Sequence, residues 1–136
     1  DWRADWIGIG LAERLARDGC QVKLAVNAAM AGESLQIYTR NHYVARLYQL
    51  GIEILPHARL YGSDGTTVYL QNTLTDAALI IEDIDTLVLS LGQQAYNPLE
   101  SALRASAIDT RVIGDCLLPR TAEEAVYEGM TAGRAI

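Results

Sequence analysis

Between Ile7 and Asp18, Leu11, Ala12, Leu15 and Ala16 fall on one face and Glu13, Arg14, Arg17 and Asp18 on the other. This is the 3.6-residue period of an amphipathic helix, and Gly19 stops it. Val22, Leu24 and Val26 then alternate with Gln21, Lys23 and Ala25, which predicts a strand over Gln21 to Asn27. A less regular helical pattern runs from Ala31 to Leu50 and ends at Gly51, before a short strand from Ile52 to Leu55 that Pro56 interrupts. Three β-rich stretches follow, Ala58 to Gly62, Thr66 to Gln71 and Leu79 to Glu82, and Ser63-Asp64-Gly65 between the first two is a hairpin signal. They predict a small antiparallel meander.

Thr86 to Leu91 is almost wholly apolar and is followed by Gly92, the pattern of a strand buried on both faces of a parallel sheet. Pro98 to Ala105 reads as a short helix, with Asp83 and Asp85 marking the strand start before it and Arg111 to Gly114 a last strand after it. The final helix opens with Thr121 and Glu124 at the spacing of a capping box and carries Ala125, Gly129, Ala132 and Gly133 as a face of small residues. The expected fold is α/β, a Rossmann-like, mainly parallel sheet with a small meander.

The chain has 136 residues, the length of one domain, and is half hydrophobic and 21% charged, enough to bury a core. Eleven Lys and Arg against seventeen Asp and Glu leave a net charge of −6, which excludes long-range attraction to nucleic acid or an anionic membrane. No apolar run spans a bilayer, and Asp-Trp-Arg-Ala-Asp lacks the regions of a secretion signal, so the expectation is a soluble, cytoplasmic protein. Cys20 and Cys116 have no partners at metal-ligand spacing and are expected to be buried thiols. His42 and His57 have no nucleophile near them and take no role, and no metal site is expected.

Two segments carry candidate chemistry. In dinucleotide-binding folds, a strand enters a glycine turn, a helix follows, and the next strand ends on a residue that reads the adenosine ribose. Ile7-Gly8-Ile9-Gly10-Leu11-Ala12 with Gly19 and Val22 matches the second half of that pattern, Gly8 standing for the third fingerprint glycine and Asn27 at the ribose position. Counting back puts Arg3 and Asp5 where the first two glycines belong. Side chains there obstruct the pyrophosphate, and Asp5 adds negative charge where the ligand brings more. Trp2 and Trp6 are expected to plug the turn. Only Asp1 and Trp2 precede it, so the first strand is expected to be missing and the exposed sheet edge to favour a homodimer or strand swap.

The second segment is Val112-Ile113-Gly114-Asp115 with the capped helix behind it. A strand ending in Gly-Asp and feeding a helix N-terminus offers a carboxylate to ribityl hydroxyls and a helix dipole to the electron-rich end of a flavin. Arg120 is placed either to meet a phosphate or to pair with Glu123 or Glu124.

Together these segments resemble the C-terminal nucleotide-binding region of NADH:flavin oxidoreductases of the trimethylamine dehydrogenase and 2,4-dienoyl-CoA reductase type, which are similar to old yellow enzyme. The resemblance runs from Ile7-Gly8 to Val26, through Asp85 to Gly92, and from Ile113 to Ile136. It implies an NAD(P)-binding-like domain over residues 1–106 and a return segment of an FAD-binding domain over 107–136. Asp115 with Gly114 would contact FAD or ADP, Thr121, Ala122 and Ala125 would lie along the flavin, and Gly8, Gly10 and Gly92 would line a second site for NAD(P)H. The partner implied is the N-terminal barrel of a parent enzyme, which would hold FMN and an iron–sulfur cluster, the fragment alone being inactive. The competing expectation is a non-catalytic, degenerate Rossmann-like module that binds ADP structurally or serves in assembly.

Overall fold

A computed structural model describes residues 1–135. It consists of two compact units, Asp1–Gly92 and Gln93–Ile136. No helix among the described residues is long and apolar enough to cross a membrane.

The first unit begins its regular structure with α1 (Trp6–Arg17). Asp5 takes an extended N-cap conformation and its Oδ1 accepts the Ile7 amide at 2.9 Å, satisfying one of the amides that a helix start leaves without a partner. At the other end Gly19, at φ +93°, donates to the Ala16 carbonyl and turns the chain away. β1 (Lys23–Ala25) follows and pairs in parallel with β2 (Glu53–Leu55), Leu24 opposite Ile54. α2 (Ile37–Gln49) makes the crossover between them. Ile9 and Ala12 of α1, Leu24, Val26, Ala31, Leu47 of α2 and Ile52 form one buried cluster, with Ile9, Val26 and Leu47 fully enclosed. Glu13 is buried at its edge, where its carboxylate accepts Arg17 Nε at 2.9 Å and also pairs with Arg46, tying α1 to α2. The Rossmann-like βαβ periodicity is borne out in these elements.

The expected meander is present as β3 (Ala58–Asp64), β4 (Thr67–Asn72) and β5 (Ala78–Ile81), antiparallel in sequence order. Its own core is Ala58, Val68 and Leu70. The hairpin turn falls at Gly65 and Thr66, slightly later than the sequence signal, and Gly65 holds φ +56°.

Four expectations are corrected. The helix expected from Ala31 begins only at Ile37, because Gly32 stands at φ +69° against the Ile9 Cδ1 atom and Ser34 is hydrogen-bonded to the Ala4 carbonyl through both its amide and its hydroxyl. Thr86 to Leu91 is not a buried strand: Leu89 is 53% and Leu91 61% exposed. The neighbours this stretch would pair with are residues 1 and 2. Trp2 donates to the Ser90 carbonyl at 2.9 Å, while Asp1 bonds the β1 side through its nitrogen to Ala25 and its carbonyl from Asn27. Arg111 to Gly114 likewise forms no strand, as the second unit offers it no partner strand among the described residues. Both cysteines are exposed, Cys20 in the turn after α1 and Cys116 in a short 3₁₀ turn.

The second unit holds α3 (Glu100–Ala105), the 3₁₀ turn Gly114–Cys116 and α4 (Ala122–Gly133). α4 starts on the expected Thr121–Glu124 capping box, in which the Thr121 amide donates to the Glu124 carboxylate at 3.0 Å.

Candidate functional site

The first-unit turn runs from Asp1 to Gly8. Asp1 Oδ1 accepts the amides of Arg3 and Ala4 at 3.1 and 3.2 Å, so the carboxylate closes a tight turn over its own following residues. Ala4 sits at φ +49° and is 1% exposed, held by the two bonds from Ser34 to its carbonyl. The other Asp1 oxygen, Oδ2, is buried without a hydrogen-bond partner and lies against Gly8, where a Cβ would overlap the carboxyl group. Gly8 is therefore a close-approach glycine, as its place in the fingerprint requires, but the group approaching it is the chain's own carboxylate.

Gly92 belongs to the same corner. It stands at φ +113°, and the place of its missing side chain is covered by the aliphatic stem of Arg3, whose Cδ would lie 3.2 Å from a Cβ there. Arg3 Nε in turn faces Asp5 Oδ2 at 3.5 Å. Asn27 joins the corner through its amide, which donates to the Asp1 carbonyl. Gly8, Asn27 and Gly92 are thus brought together. Gly10 is exposed on α1 with open space around it. The indoles expected to plug the turn do not: Trp2 is 52% and Trp6 65% exposed, and Asp1 fills the space instead. A hollow of about 310 Å³ along α2, lined by Met30, Arg40, Val44 and Tyr48, includes none of these residues.

In the second unit Gly114 stands at φ +61°, the left-handed conformation that glycine adopts without cost, and it faces Ala125 of α4 at van der Waals distance. Gly129, one turn further along α4, lies beside Ile113. The small-residue face thus receives Gly114 and the Ile113 side chain. Glu128, on the same helix, accepts the Gly114 amide at 2.6 Å and pairs with Arg120. The ion-pair partner of Arg120 is therefore Glu128, in the second turn of α4, and not Glu123 or Glu124. Asp115 is exposed beside this turn, and Thr121 and Ala122 are exposed at the start of α4. Gly114, Asp115, Thr121, Ala122 and Ala125 are gathered at one end of the unit.

The Glu128 carboxyl is held below the usual carboxylate range, first by its hydrogen bond from Arg120 and then by the Gly114 amide. Glu124 is held low in the same direction, chiefly by the Thr121 hydroxyl. The Glu128-Gly129 pair belongs to the spacing that marks the second segment, but sequence reasoning gave Glu128 no role of its own and missed Asp1. The signal for Glu128 was its place one helical turn from Glu124 on the side that meets Gly114. Asp1 gave none, since its contact depends on the fold of the turn.

No protein-family model and no curated protein matches the chain. Among solved structures it is similar to 6-hydroxypseudooxynicotine amine oxidase from Pseudomonas geniculata N1, at 26% identity and a TM-score of 0.84 over 98% of this chain and 21% of that one. It is also similar to histamine dehydrogenase from Rhizobium sp. 4-9, at 22% identity and a TM-score of 0.79 over all of this chain and 22% of that one. A third similar structure is 2-naphthoyl-CoA reductase, at 21% identity and a TM-score of 0.80 over 99% of this chain and 20% of that one. The chain has the fold of one segment of these enzymes. It spans about a fifth of the length of each.

Proposed function

We propose that this chain is the nucleotide-binding part of a flavin-dependent oxidoreductase, of the amine dehydrogenase or NADH:flavin oxidoreductase type, and that its second unit holds FAD or ADP. The observation that carries the reading is the likeness to an amine oxidase over 98% of the chain at a TM-score of 0.84. The sequence resemblance to the trimethylamine dehydrogenase type supports it independently, because it rests on Ile113-Gly114-Asp115 and the helix after it.

The residues of the second unit fit such a group. Gly114 takes the left-handed turn that exposes Asp115, and the Asp115 carboxylate is in position to accept hydrogen bonds from ribose or ribityl hydroxyls. The Gly114 amide is committed to Glu128, so the turn contributes its shape and the Asp115 carboxylate, not that N–H. Thr121 and Ala122 at the start of α4 and Ala125 one turn on leave a low surface along which a flat group can lie. A bound flavin supplies the electron-transfer chemistry, and the protein's share is binding and orientation. In the parent enzyme the partner of this segment would be an N-terminal barrel holding FMN and an iron–sulfur cluster.

The flavin band in the visible spectrum of the purified full-length protein tests this reading; a colourless protein that releases no flavin on denaturation contradicts it. A second reading, a non-catalytic module that holds ADP structurally, is favoured by the covered first turn. Identification of the released nucleotides separates the two: a flavin, alone or together with ADP, supports the first, and ADP without any flavin supports the second.

A further inference from the structure

We propose that the Asp1–Gly8 turn is an anion site occupied by the chain's own carboxylates, and that it therefore takes no pyridine dinucleotide. The inference concerns the nicotinamide half of the family resemblance and stands apart from the flavin reading of the second unit.

A pyrophosphate bound at the start of such a helix needs backbone amides directed at it, a glycine face to approach and an absence of competing negative charge. Four of the turn's amides and both of its glycine faces are used internally. The Arg3 and Ala4 amides go to Asp1 Oδ1, the Ile7 amide goes to Asp5 Oδ1, and the Trp2 amide goes to Ser90. The open side of Gly8 is filled by the Asp1 carboxyl group, and that of Gly92 by the Arg3 stem. The Arg3 guanidinium faces Asp5, so that cation already has an anion. The Ala4 carbonyl is engaged as well, accepting both the amide and the hydroxyl of Ser34. A dinucleotide would have to displace Asp1, break two amide bonds to it and place its phosphates beside two carboxylates. The Asp1 backbone is itself held to the β1 side, its nitrogen donating to the Ala25 carbonyl and its carbonyl accepting the Asn27 amide.

The proposal assigns Asp1 the role that a bound phosphate plays in an open turn: it satisfies the amides and fixes the entry into α1. Hydrogen exchange on the full-length protein tests it, read at the amides of Arg3, Ala4 and Ile7 with NADH, NADPH or inorganic pyrophosphate added in turn. The expected result is that these amides are slow without ligand and unchanged by any of the three. Added protection there, with saturable dependence on NADH or NADPH, would overturn the proposal. Asp1→Gly vacates the space and Asp1→Asn keeps its volume while removing its charge. The Asp1→Gly protein is expected to bind inorganic pyrophosphate at least tenfold more tightly than the parent, and Asp1→Asn to stay closer to the parent. Equal pyrophosphate affinity of a folded Asp1→Gly protein and the parent would also overturn it. Should Asp1→Gly fail to fold, the exchange result on the parent decides alone. Flavin absorbance recorded on the same samples keeps this outcome distinct from that of the flavin reading.

Discussion

The carboxylate of Glu128 accepts the backbone amide of Gly114 at 2.6 Å. This bond joins the middle of α4 to a turn whose glycine is left-handed, and the same carboxylate holds Arg120. The Gly114–Asp115 turn is thus fixed from the helix side while the Asp115 carboxylate stays exposed. Replacing Glu128 by Ala removes the acceptor from the Gly114 amide and the partner from Arg120. The expected outcome is faster hydrogen exchange at Gly114 with little change in the exchange of α1, and weaker retention of the adenine nucleotide. Unchanged exchange at Gly114 would show that the bond does not hold the turn.

Acid should weaken the same region. Glu124 and Glu128 are held below the usual carboxylate range, so their contribution is present above the unfolded value and is lost as pH falls through the folded one. Stability of the second unit is expected to be level near neutral pH and to decline below about pH 5, where unfolded Glu begins to take up protons. Both residues are half-buried at the surface of a small unit, so the effect is small and shrinks with added salt. Thermal unfolding of the Glu124→Gln/Glu128→Gln protein across this range should show a flatter acid limb than the parent.

Gly8 and Asp1 make a coupled pair. A methyl group at Gly8 would overlap the Asp1 carboxyl, so Gly8→Ala is expected to cost about 1–3 kcal/mol as an overpacked site. Asp1→Gly in the same protein should recover part of that loss, a coupling of about 0.5–3 kcal/mol in a double-mutant cycle. Additive effects would place the Asp1 carboxyl elsewhere.

Gly32 and Gly51 separate crowding from backbone strain. Both are left-handed, at φ +69° and +72°, but a Cβ at Gly32 would run into Ile9 whereas Gly51 has open space. Alanine at Gly51 is expected to cost about 1–2 kcal/mol for the left-handed conformation alone. Alanine at Gly32 should cost more, because the displaced Ile9 is one of the fully buried side chains of the core. Equal losses in thermal or denaturant unfolding would contradict the close packing of this loop on α1.

The periodic elements were legible in the sequence because their patterns are local. α1, the β1–α2–β2 crossover, the meander, the Gly19 stop and the Thr121 capping box all lie where apolar spacing and cap residues place them. What failed depended on neighbours. Thr86 to Leu91 has the composition of a buried strand, but such a strand needs a flanking ladder, and among the described residues the one backbone bond between this stretch and the Asp1–Gly8 turn runs from Trp2 to Ser90. Ala31 to Gln36 carries helix-compatible residues, yet Gly32 and Ser34 serve the turn at Ala4 instead. At the candidate sites, the departure of Arg3 and Asp5 from a glycine fingerprint was visible in the sequence. That Asp1 fills the gap and that Arg3 covers Gly92 came only from the folded turn.

The most direct test of the flavoenzyme reading is mass-spectrometric identification of the nucleotides released on denaturing the full-length protein and its Asp115→Ala variant. The account predicts a flavin together with FAD or ADP from the parent protein, and a clear loss of that adenine nucleotide from Asp115→Ala. Absence of any flavin or adenine nucleotide from the parent, or equal adenine-nucleotide content in a folded Asp115→Ala protein, would contradict it.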